Sequence, residues 1–190
     1  MKLDIILSAV AGILNIIAFG IYNTEIFAGN ANPNITSWAI WSFITILNFT
    51  SYRAMSKDWM KSILPTISSL LCILTLVLAL FQGKFKGFVG SDYVVMSIGL
   101  TASYLWWSLK SPTITNMMLQ VAIAVGFIPT FQSVWARPDS EIPVCWFMWT
   151  ISSAVQIIVV LLRWKGQARD LAYPINCTWT HLVVALIAIR

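Results

Sequence analysis

Seven apolar stretches dominate this chain of 190 residues. They run at about 4–22, 37–54, 63–82, 90–109, 113–133, 143–162 and 172–190. Each approaches the ~20 residues needed to cross ~30 Å of hydrocarbon. The expected fold class is therefore an all-α membrane protein with seven transmembrane helices. Composition agrees, with 58% hydrophobic residues and 10% charged, where soluble domains carry about a quarter charged. Ser8-Ala-Val-Ala11 resembles a signal cleavage site, but the apolar run continues past it to Tyr22. It reads as a retained first span.

The net charge of +5 comes from 12 Lys and Arg against 7 Asp and Glu. Because the basic residues gather in short loops, they serve topology and lipid headgroups, and no nucleic-acid partner is implied. Lys2, Arg53, Lys57, Lys61, Lys110, Arg163, Lys165 and Arg169 fall on one side, and Lys84, Lys86, Arg137 and Arg190 on the other. This imbalance predicts a cytoplasmic N-terminus and an external C-terminus, in a plasma or inner membrane. Cys72, Cys145 and Cys177 lie in or beside apolar segments without a Cys-x-x-Cys pair, so neither a disulfide nor a metal framework is expected. No set of nucleophile, base and metal ligands appears, and no enzyme or cofactor is expected. The last span has no lysine that would carry a Schiff base.

Trp38, Trp41, Thr45 and Asn48 are spaced by helical turns and form one stripe. Trp146, Trp149, Ser153 and Gln156 repeat it about 108 positions later. At a spacing of 109, Pro65, Ser69 and Cys72 fall on Pro174, Thr178 and His181. A repeat of this period calls for duplicated structural units. Three spans reverse the chain's direction, so one extra span restores parallel orientation. The expected plan is a first three-helix repeat at 1–88, a linker helix at 89–111 and a second three-helix repeat at 112–190, giving two parallel bundles.

Gly126-Phe-Ile-Pro129, followed by Arg137-Pro-Asp139 and the helix opening at Pro143, resembles the signature of the SWEET / PQ-loop transporter superfamily. Tyr52, Asp58 and Pro65 are similar to the SWEET order of tyrosine, aspartate and helix-opening proline, and Asp170…Pro174-Ile-Asn176 is a second copy. The name-giving Pro-Gln is Pro129-Thr130 here. A sibling architecture, the PnuC vitamin carriers, is resembled by Trp38, Trp41 and Asn48 on one helix. The resemblance implies a transporter that moves a small neutral or weakly polar solute, sugar-like, by alternating access and facilitated diffusion. A PnuC-like vitamin or nucleoside carrier is the alternative. A channel or a non-transporting receptor or scaffold is the reading of another class.

The expected solute site is lined by Asn48, Gln156, Trp41, Trp149, Thr45, Ser153, Asn176 and Asn15. Amides at mid-membrane need partners, and Trp41 and Trp149 offer faces for a flat solute. Trp38 and Trp146 stand at helix starts, where interfacial anchors are expected. Pro129 is the expected hinge, and His181, the single histidine, is the candidate proton site. Mid-span Asp and Glu are absent, which favours a facilitator. The partners expected are the solute and the lipid bilayer, and a homo-oligomer is compatible with the plan. Asn34-Ile-Thr36 is a glycosylation sequon on the expected outer side.

Overall fold

The computed structural model describes residues 2–31, 33, 35–81 and 90–190. Among them there are helices and no strand. The helices are α1 (Leu3–Ala28), α2 (Ile35–Ser56), α3 (Trp59–Phe81), α4 (Gly90–Leu109), α5 (Pro112–Gly126), α6 (Ile128–Ala136), α7 (Pro143–Leu162) and α8 (Ala172–Ala188). Short 3-10 turns at Pro138–Ser140 and Ala168–Leu171 lead into α7 and α8. The loop charges Lys84 and Lys86, the expected boundary at 88–89, and Asn34 of the sequon lie outside the described residues.

Five helical stretches are long and apolar enough to cross a membrane: α1, α3, α5 with α6, α7, and the turn at 168–171 with α8. These point to an integral membrane protein. Both α2 and α4 have comparable length but carry more Ser, Thr and Trp. The polarity of the fold is inverted relative to a soluble domain. Ile13, Leu70, Val121 and Ile151 face outward, while Asn48, Asn116 and Gln156 are fully buried.

Helix ends explain two departures from the expected spans. Helix α1 runs on past Tyr22 through Asn23, Thr24 and Glu25 until Gly29. There the backbone turns left-handed at φ 80° and its N–H returns to the Glu25 and Ile26 carbonyls, the usual glycine stop. Helix α3 starts at Trp59, so Pro65 lies inside the helix and not in its first turn. Asp58 accepts the Met60 N–H and opens the helix early. Lys61, expected among the loop charges, is thereby drawn into α3 and buried at 1% exposure.

Helix α1 lies against α3 and α7, while α2 lies against α3 and α5. The packing of α7 against α8 mirrors that of α2 against α3, and α6 also rests on α8. Helix α4 sits outside this ring, on α5 and α2. Gly12 allows α1 to approach α3, since a Cβ there would meet Ile67 Cδ1 at 2.9 Å.

Burial repeats along the chain. All eight buried positions of α7, moved back by 108, fall on buried positions of α2, as Trp149 falls on Trp41 and Gln156 on Asn48. At the same spacing Ser8, Asn15, Phe19 and Tyr22 of α1 fall on Asn116, Ile123, Phe127 and Thr130, all of them buried. At a spacing of 109, Lys61, Leu64, Pro65 and Thr75 fall on Asp170, Tyr173, Pro174 and Val184, again all buried.

Candidate functional site

The ring of helices surrounds a partly open cavity of about 50 Å³. Its walls are mainly aromatic: Phe19 from α1, Trp38 and Trp41 from α2, Phe127 from the α5–α6 joint, Trp146 and Trp149 from α7, and His181 from α8. The rings meet at angles and not in stacks. Trp41 and Phe127 have centroids 4.5 Å apart, Phe19 and Trp149 4.9 Å, and Trp146 and Trp149 4.9 Å at 77°. Such tilted and edge-to-face contacts add about 0.5–1.5 kcal/mol each beyond burial and fix the box. Tyr22 backs it, 5.3 Å from Trp38 and 5.4 Å from Trp149. Asn15, Thr45, Ser68, Cys72, Tyr173 and Cys177 complete the lining.

Three lining residues hold a buried polar atom that makes no hydrogen bond among the described residues: Trp41 Nε1, Trp149 Nε1 and Asn15 Oδ1. Buried polar groups are paired nine times in ten, and each orphan costs about 1–3 kcal/mol. Asn15 is held by its own Nδ2, which donates to Ser68 Oγ at 3.3 Å, leaving its acceptor oxygen free. Two indole donors and one amide acceptor thus stay unpaired on residues that wall the cavity.

Below the cavity lies a layer of amides. Asn116 Nδ2 and Gln120 Nε2 both donate to Asn48 Oδ1, at 3.0 and 2.8 Å, and Asn116 also donates to Ser51 Oγ. Asn176 Nδ2 donates to the Gln120 carbonyl at 2.8 Å. On the other side Gln156 Nε2 donates to the Met60 and Lys61 carbonyls, both at 3.0 Å. Asn48 and Gln156 therefore belong to two separate networks and do not line the cavity, although Asn48 Nδ2 and Gln156 Oε1 remain unpaired.

Ion pairs close this end of the bundle. Lys61 Nζ meets Asp170 Oδ2 at 2.6 Å, with both side chains buried. Tyr52 donates its hydroxyl to the Asp170 carbonyl at 2.7 Å. Arg163 bridges Asp58, through Nε at 2.9 and 3.0 Å, and Asp4. Neutral donors close the opposite end. Glu141 Oε2 accepts from Tyr22 Oη at 2.8 Å and Trp146 Nε1 at 2.9 Å, and Thr130 donates to Ser37 at 3.0 Å. Burial pushes the Glu141 carboxyl up to about 7, against these two hydrogen bonds, which favour its charged form.

Of the residues expected from sequence, the structure gathers Trp41, Trp149, Thr45, Asn15 and His181 around the cavity. Asn48, Gln156 and Asn176 lie in the polar layer beneath it, and Ser153 is buried in α7 outside the lining. Trp38 and Trp146, expected as interfacial anchors, are instead buried box walls at 3% and 1% exposure. Trp59, Trp107 and Trp164 are exposed, as anchors are. Pro129 sits in the first turn of α6, at the break after Phe127. Sequence reasoning passed over Phe19, Phe127, Glu141, Asn116 and the Lys61–Asp170 pair. The signal for three of these was present, because Phe19 and Phe127 are 108 apart and Lys61 and Asp170 are 109 apart.

Comparison with protein-family models, with curated proteins and with solved structures gives no match.

Proposed function

We propose that this chain is a membrane carrier that moves a small neutral or weakly polar solute by alternating access, as a facilitator. The observation that carries the reading is the set of unpaired polar atoms on Trp41, Trp149 and Asn15, residues that line an aromatic box between helices of both proposed repeats. A solute that fills the box would satisfy atoms that the protein leaves unpaired.

The architecture we read behind it is seven spans in 3+1+3 order. Helices α1–α3 form one bundle, α5 to α8 form the second, and α4 is the linker. The repeated burial pattern supports this plan, as does the exchange of contacts in which α1 meets α7 while α2 meets α5. Both are expected of two bundles related by an axis along the membrane normal. Bonds between the bundles on both sides of the cavity fit an occluded state. They also favour a carrier over a channel, which needs a continuous polar path. We place Asn48 Nδ2, Gln156 Oε1, Ser153 and Asn176 on the solute's exit path, reached when the ion-paired end opens.

The SWEET-like resemblance suggests a sugar. The mostly aromatic lining, with few polar groups, favours the second reading, a flat heterocyclic ring such as that of a vitamin or nucleoside. In proteoliposomes offered panels of sugars, nucleosides and vitamins, Trp41→Phe and Trp149→Phe keep a ring and remove a donor. Each is expected to raise the half-saturating concentration about three- to tenfold, the equivalent of about 0.5–1.5 kcal/mol. Uptake identical to wild type in both folded variants would remove the box as the site.

A further inference from the structure

Glu141 is a buried carboxylate with work left unassigned. It lies in the loop before α7, is 4% exposed, and no ion pair reaches it among the described residues. Its Oε2 takes two hydrogen bonds, one from Tyr22 on α1 and one from Trp146 on α7. Both donors are box residues or back the box directly. The Tyr22 bond joins the two proposed bundles across the end of the cavity away from the ion pairs. The charged or titratable groups on the elements around it are Glu25 on α1, Arg137 and Asp139 on the preceding loop, Cys145 on α7, and His181 and Arg190 on α8. None of them forms an ion pair with it.

We propose that Glu141 is a proton-operated latch on this mouth of the cavity, holding it shut when protonated and releasing it when ionised. The proposal rests on the alternating-access reading above. Closing the mouth takes the carboxyl out of water without supplying a cation, which penalises the charged form. Opening it lets water solvate the carboxylate.

The direction follows from linkage. In the open form Glu141 titrates near the ordinary glutamate value of ~4.3, and in the closed form burial raises it to about 7. Below the lower value the carboxyl is protonated in both forms, and closure carries no charge penalty. Between the two, closing binds a proton. Above the upper value closure buries a charge, and its advantage at low pH is gone. The open fraction is expected to rise about tenfold between about pH 6 and about pH 8.

Cys72 and Cys177 line the cavity and report opening without any transported solute. In a Cys145→Ala background in detergent, their reaction with a small charged methanethiosulfonate is followed across this pH range. Glu141→Gln keeps both hydrogen-bond acceptances and cannot ionise, so its profile contains only the thiol chemistry and any opening at the other end. Wild type is expected to gain about tenfold over Glu141→Gln as pH rises. Parallel profiles would overturn the latch. Tyr22→Phe gives an independent reading should Glu141→Gln fail to fold. Losing a bond to the charged form must move the wild-type midpoint to higher pH, and an unmoved midpoint overturns the proposal equally. Because uptake is not measured, a failed latch leaves the Trp41 and Trp149 experiment to judge the carrier separately.

Discussion

Lys61 and Asp170 place two opposite charges side by side in the bundle at 1% and 3% side-chain exposure. Taking either charge from water is expensive, and losing one partner strands the other. Lys61→Met and Asp170→Asn are each expected to destabilise the protein by about 3–5 kcal/mol, seen as earlier thermal unfolding in detergent. Changing both to apolar residues should recover most of that loss. A double variant no better than the worse single would show that the pair's geometry, and not its charge balance, is what matters. This pair shows what residue-level reading of the sequence misses. Both residues were visible at equivalent positions, but a basic residue near a span end reads as a topology signal unless its acid partner, 109 positions away, is brought beside it. The box was half legible for a similar reason. The Trp-x-x-Trp spacing placed Trp41 and Trp149 on one helix face each, but the burial of Trp38 and Trp146 depends on Tyr22 and Glu141 arriving from elsewhere.

At the scale of the element, apolar length and turn chemistry made the helices readable. The apolar stretches expected at 90–109 and 143–162 coincide with the helices α4 and α7. The break between α5 and α6 was readable only as Pro129, which has no N–H to continue the helix. The joint's second ingredient is Gly126, where a Cβ would stand 3.2 Å from Trp41 Nε1. The joint therefore sets both the helix direction and the position of a box wall. As a hinge, it should respond to Pro129→Ala, which lets α5 and α6 run on as one helix. Uptake is expected to slow about three- to tenfold while the melting temperature holds or rises, as for a hinge that gates without touching solute. A matched fall in both would make Pro129 a packing residue.

On the scale of the whole molecule, the two ends of the cavity are chemically unlike. One is tied by ion pairs through Asp4, Asp58, Lys61, Arg163 and Asp170, the other by hydrogen bonds to Glu141 and between Thr130 and Ser37. The loop charges lead us to expect the ion-paired end in the cytoplasm. Cysteines introduced at Lys57 and at Asp139, both exposed, test this on intact cells. An impermeant reagent is expected to label position 139 and spare 57, and the reverse pattern would invert the orientation and the side on which the proton latch acts.

The ion pair also bears on how such a chain could have arisen. Lys61 and Asp170 occupy equivalent places in the two proposed repeats, 109 positions apart, and are in contact, so they would meet at the axis proposed between the bundles. Two identical halves meeting about such an axis would set lysine against lysine, or aspartate against aspartate, with no counter-charge. If the repeats descend from one duplicated unit, opposite charges here became workable only once the copies were free to diverge within a single chain. On that plan the halves would no longer be interchangeable: a first repeat paired with a copy of itself would set two buried lysines face to face with no carboxylate between them.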